Sequence, residues 1–135
     1  MKKALFVIAI LILTSTVSFA SKEGILAFSS FNISSNGIGG SGPITVTGKQ
    51  SNDSRIISLA IDAFGKKYEI DEKYLARCPK LSFNGIQLSY EAGYKELGGR
   101  TVYIQFQNGF KGSGTRGSFV LSLSEDGTVN IEKSK

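Results

Sequence analysis

The chain has 135 residues, with 16 Lys and Arg, 11 Asp and Glu, one Cys and no His, and a formal net charge of +5. That length suits one domain. Without histidine there is no Ser-His-Asp triad and no imidazole for a catalytic zinc site, and the basic residues come only in short pairs such as Lys66-Lys67, not the clustered face of a nucleic-acid binder.

Lys2 and Lys3 open the chain, residues 4–13 are wholly apolar, and Ser18-Phe19-Ala20 places small residues at −3 and −1 of a cleavage point. This is the layout of a secretory signal peptide. The apolar run is too short for a membrane span, which needs about 20 residues. Residues 1–20 are expected to be removed and 21–135 to form a single β domain, carrying 14 basic residues, once Lys2 and Lys3 leave, against 11 acidic ones. Cys78, the sole cysteine, cannot form an internal disulfide in an exported chain. It reads as a small apolar core residue, with an intermolecular bridge as the sharper alternative.

The exported part is dominated by strand signals. Residues 24–33 carry Ile25, Leu26, Phe28, Phe31 and Ile33, and the glycine-rich stretch 34–43 ends at Pro43 as a loop. Ile44 and Val46 share one face of a short β-branched strand, and 49–54 is a polar turn. In 55–63, Ile57, Leu59, Ile61 and Ala63 are predicted to face the core together. A turn near Gly65 then returns the chain as a hairpin ending at residue 70. Residues 71–78 are the one helix candidate, with Asp71 as its cap and Pro79 as its stop.

Beyond it, Ile86, Leu88 and Tyr90 are in phase, as are Val102, Ile104 and Phe106, then Phe119, Leu121 and Leu123. Asn108-Gly109 and 124–127 read as turns, 111–117 as a second glycine loop, and Val129 with Ile131 as the last strand. About eight short strands, with turn chemistry every eight to twelve residues, predict an all-β antiparallel sandwich or small barrel with one short helix.

Little in this pattern points to catalysis. "GIGGSG" (37–42) runs into Pro43 rather than a Gly-Lys-Ser/Thr ending, so it is not a phosphate loop. Asn52 and Asp53 do not continue into a calcium-loop spacing. Glu91 and Glu96 keep open a carboxylate pair of glycosidase type. The densest stretch is "LSYEAGYKELGGRTVYIQF" (88–106). Tyrosine and arginine recur at the centres of protein interfaces. If 91–99 connects two strands, Tyr90 and Tyr103 are expected to meet across it, with Gly98 and Gly99 supplying positive φ. Tyr94, Lys95, Glu96, Arg100 and Tyr103 are the candidate partner-binding residues.

The expected function is an exported, periplasmic or secreted, non-catalytic binding protein of inhibitor or neutralising type, with a protein partner. A structural or surface-assembly component of the envelope is the alternative, and a small hydrolase the third reading. No cofactor, metal, nucleic acid or membrane insertion after signal removal is expected.

Overall fold

Apolar residues at every second position make a ribbon with one greasy face, and two such ribbons must cover each other. The chain does this twice in succession. The computed structural model describes residues 27–94, 96, 99–109 and 117–133. The expected signal segment, the start of the first expected strand and most of the second glycine loop lie outside those residues.

Strands β1 (Ser30–Ser35), β2 (Ile44–Gln50), β3 (Ile56–Ala63) and β4 (Lys66–Glu69) form one antiparallel sheet in chain order. Strands β5 (Gly85–Glu91), β6 (Thr101–Asn108), β7 (Gly117–Ser124) and β8 (Val129–Lys133) form a second. The sheets stay separate and face each other as a sandwich, which resolves the sandwich-or-barrel alternative. Their inner faces meet at Val46, Ile61, Val102, Ile104, Phe106, Phe119, Leu121 and Leu123, all fully buried. Phe106 stacks on Phe119 at 4.7 Å and meets Phe83 edge-on at 4.9 Å, and Phe31 of β1 closes the group 6.0 Å from Phe106. Such ring pairs add to what burial alone contributes.

The predicted phase of β3 is corrected at its start. Lys49 pairs with Ser58 and Gln50 with Ile56, so Ile57 is an extra residue opposite β2. This β-bulge shifts the alternation by one position. Ile56 turns into the core and is 2% exposed, while Ile57, expected inside, is 54% exposed. Leu59, Ile61 and Ala63 keep the predicted inward phase. The polar turn predicted at 49–54 is shorter than expected, because β2 continues through Gln50.

Helix α1 (Glu72–Leu75) is one turn, shorter than predicted. The Asp71 side chain makes no capping hydrogen bond and lies 3.5 Å from Lys73. The next residues tighten into i→i−3 bonds, Arg77 N–H to Tyr74 and Cys78 N–H to Leu75. Pro79 disfavours helical backbone at Cys78, so the turn cannot extend. A crossover then runs across one end of the sandwich. There the buried Gln50 donates from Nε2 to the carbonyls of Leu81 (2.6 Å) and Ser54 (3.2 Å), and Phe83 plugs the core. Among the described residues no helix is long and apolar enough to cross a membrane.

The opposite end gathers the β1–β2, β3–β4, β5–β6 and β7–β8 connections. The candidate residues lie around it.

Candidate functional site

Arg100 sits one position before β6, and Glu125 one position after β7. Thr101 pairs with Ser124, so the two residues fall opposite each other on adjacent strands. The Glu125 N–H donates to the Arg100 carbonyl at 2.8 Å, which extends the ladder. The side chains then lock in parallel: Arg100 Nη2 donates to Glu125 Oε1 at 2.6 Å and Nε to Oε2 at 3.0 Å. A bidentate guanidinium–carboxylate pair of this kind fixes geometry as well as charge. Hydrogen bonding from Arg100 holds the Glu125 carboxyl at about 2, and the same bond raises the arginine's pKa.

The clamp reaches across to the first sheet. Arg100 Nη1 donates to the Gly40 carbonyl at 2.8 Å, in the β1–β2 loop. The guanidinium lies 4.9 Å above the Phe64 ring, in the β3–β4 turn. The Tyr68 hydroxyl of β4 donates to the Glu125 carbonyl at 3.1 Å. Phe64 adopts φ +56 beside Gly65 at +73, as a two-residue hairpin loop favours. For a bulky side chain that backbone is strained, and the arginine packed on its ring helps to hold it. All four connections at this end are thus tied through one arginine.

The β5–β6 connection stands on this base. The Gly99 N–H donates to the Tyr94 carbonyl at 3.0 Å, closing the loop on itself. Gly99 has φ +77, as predicted, while Gly98 and Lys95 lie outside the described residues. Gly93 also matters: a Cβ there would collide with the Gly99 carbonyl oxygen. The loop therefore pinches tightly between Gly93 and Gly99, and the Tyr94 side chain is 76% exposed, with Glu96 exposed too.

The five predicted residues thus take different places. Tyr94 and Glu96 are free surface at the loop. The Arg100 guanidinium is engaged inside the molecule. Tyr103 lies on the outer face of the second sheet, where its hydroxyl donates to Glu91 Oε2 at 2.6 Å, and that bond raises the tyrosine's pKa. Tyr90 does not meet Tyr103 as expected. Tyr90 pairs with Val102 and Tyr103 with Ser89, so the two tyrosines point to opposite faces of the sheet.

Sequence reasoning missed Glu125, Phe64 and Gly40 as partners of Arg100. Glu125 had a signal: extending the β6–β7 pairing by one residue puts it opposite Arg100. Gly40 and Phe64 had none, because both contacts cross between sheets.

Among the described residues, no three His, Cys, Asp or Glu side chains come together to hold a metal ion. Burial pushes the Cys78 thiol up to about 11, far from the thiolate that nucleophilic catalysis needs. A shallow groove of about 720 Å³ lies between β3 and α1, with Ile57, Ala60, Leu75 and Ala76 along it and Arg55, Glu69 and Glu72 as its charges. No protein-family model, curated protein or solved structure matches the chain.

Proposed function

We propose that the protein is an exported, non-catalytic binding protein that engages a protein partner in the cell envelope or outside it. Its contact surface is the β5–β6 loop, with Tyr94 and Glu96 facing the partner, Arg100 anchoring the loop and Tyr103 with Glu91 at its foot; Lys95 is proposed as a contact from the sequence alone. The observation that carries this reading is the pairing of an exposed tyrosine with a rigid base. Tyr94 presents most of its ring to solvent, on a loop closed by its own backbone bond and seated beside the Arg100–Glu125 clamp. A rigid aromatic on a fixed scaffold loses little conformational freedom on binding, which favours affinity. Lysine, glutamate and glycine around it suit the polar rim of such a contact.

The test compares affinity with stability. Tyr94→Ala is expected to weaken partner binding by about 1–4 kcal/mol, the range of interface hot spots. Its effect on folding is expected to stay within about 0.5 kcal/mol, as for an exposed side chain. Capture from envelope extract by the exported chain, repeated with the variant at matched melting temperature, measures the first quantity. Equal recovery of the same partner by both chains would rule out the loop as the contact.

A further inference from the structure

The two open sides of the sandwich are finished differently. On one side the edge strands are β4 and β8. β4 has four residues and carries Lys66, Lys67 and Glu69, and β8 carries Glu132 and Lys133. Helix α1 packs on β3 and reaches β8 on this side, with Leu75 buried. Shortness, charge and a covering helix are means by which a sheet edge avoids pairing with another chain. Among the described residues the other side has none of them at β5. That strand, "GIQLSYE", has seven residues, no proline and no charge before Glu91. β1, also uncharged, offers less, because Phe31 is buried under Phe83 and Phe106.

The register also tells which backbone groups of β5 are free. The Glu125 N–H bonds the Arg100 carbonyl, so Arg100 and Glu125 are a hydrogen-bonded pair. Alternation along an antiparallel ladder then turns Val102, Ile104 and Phe106 toward β7, and Tyr103 and Gln105 toward β5. Their partners Ser89 and Gln87 face back. The N–H and C=O groups of Ile86, Leu88 and Tyr90 therefore point away from the sheet. The side chains of the same three residues form the last inward row and are only half-buried.

We propose that β5 is a self-association edge, on which a second copy of this chain adds its own β5 antiparallel about a twofold axis at Leu88. The sequence is complementary to itself in that register. Leu88 meets Leu88 of the second copy, and Ile86 meets Tyr90, each as a hydrogen-bonded pair that uses the free backbone groups. On the outer face Gln87 meets Ser89. Glu91 falls opposite Gly85, so no two carboxylates face each other. The half-buried apolar rows of the two copies become one continuous row, and two four-stranded sheets become a single sheet across a closed, isologous interface. This surface lies on the side of the sandwich and meets the exposed Tyr94 loop at its end only through Glu91, the last residue of β5.

Sedimentation equilibrium of the exported chain tests the proposal, and a dimer in the micromolar range is the result expected. Gln87 and Ser89 are both exposed on the outer face, so replacing them leaves the core intact. The double variant Gln87→Lys with Ser89→Lys puts lysine opposite lysine at both outer pairs and should weaken association about tenfold or more, with an unchanged thermal melt. Gln87→Glu with Ser89→Lys puts opposite charges in the same pairs and should restore the dimer. A wild-type chain that stays monomeric through that range, a lysine pair without effect, or a charge swap that fails to restore association would each overturn the proposal.

Discussion

Arg100 and Glu125 are the two residues on which this end of the molecule depends. The arginine bonds both carboxylate oxygens of Glu125, one carbonyl of the facing sheet, and the ring of a strained phenylalanine. The carboxyl titrates at about 2 in the fold against 4.5 for a free group. The unfolded chain therefore takes up this proton at higher pH than the folded one, and acid favours unfolding. The Glu125 contribution is complete above about pH 4.5 and fades as pH falls toward 2. Asp53 and Asp126 are lowered as well, the first chiefly by the Ser51 hydroxyl and the second by the Thr128 backbone, and they add to the same acid limb. Glu125→Gln should lower the melting temperature at pH 7 and flatten the dependence below pH 4.5, leaving the part due to the two aspartates. Parallel melting curves for wild type and variant across that window would show that the clamp contributes no stability.

At the scale of single elements, the bulge in β3 makes the sharpest test of the packing. Ile56 and Ile57 are adjacent and chemically identical, yet one is 2% exposed and the other 54%. Ile56→Ala should cost about 2–5 kcal/mol through lost burial and the cavity left behind. Ile57→Ala should stay within about 0.5 kcal/mol. Phe106→Ala, in the middle of the ring group, gives the upper scale at about 3–5 kcal/mol. Urea melts of the three variants decide it, and equal costs for the two isoleucines would mean that β3 runs without a bulge. The same strand marks where sequence reading stops. In β6 and β7 strict alternation survives because one face meets the opposite sheet along its whole length, and the core was legible there residue by residue. In β3 one inserted residue reverses the phase, and adjacent isoleucines hide the reversal because either could be buried. Phe83 was equally hidden: it lies in an irregular crossover, where no period marks an inward face. The cap predicted for Asp71 failed for a local reason, since a one-turn helix ended by Pro79 is held by the packing of Leu75 and not by its terminus.

At the scale of the whole molecule, the described residues form two successive four-stranded meanders laid face to face. That topology sends four connections to one end and the crossover with the β2–β3 turn to the other. The presence of about eight short antiparallel strands followed from alternation and turn chemistry, while their division into two sheets of four came from the fold. The site at the connected end was legible only in part. The exposure of Tyr94 agrees with its place between Gly93 and Gly99, but the engagement of Arg100 depends on Gly40 and Phe64, sixty and thirty-six positions before it along the chain. Contacts between sheets carry no sequence period, so this part had to come from the fold. The result is a clamp beneath and an exposed aromatic above, and site-specific photo-crosslinking in cells that produce the chain tests whether that aromatic meets a partner. A photoreactive phenylalanine analogue replaces Tyr94 in one variant and Lys67, exposed on the edge strand β4, in another. A discrete adduct with a protein other than a second copy is expected from position 94, and none of that mass from position 67. No such adduct from position 94, or the same adduct from both positions, would contradict a partner contact at Tyr94.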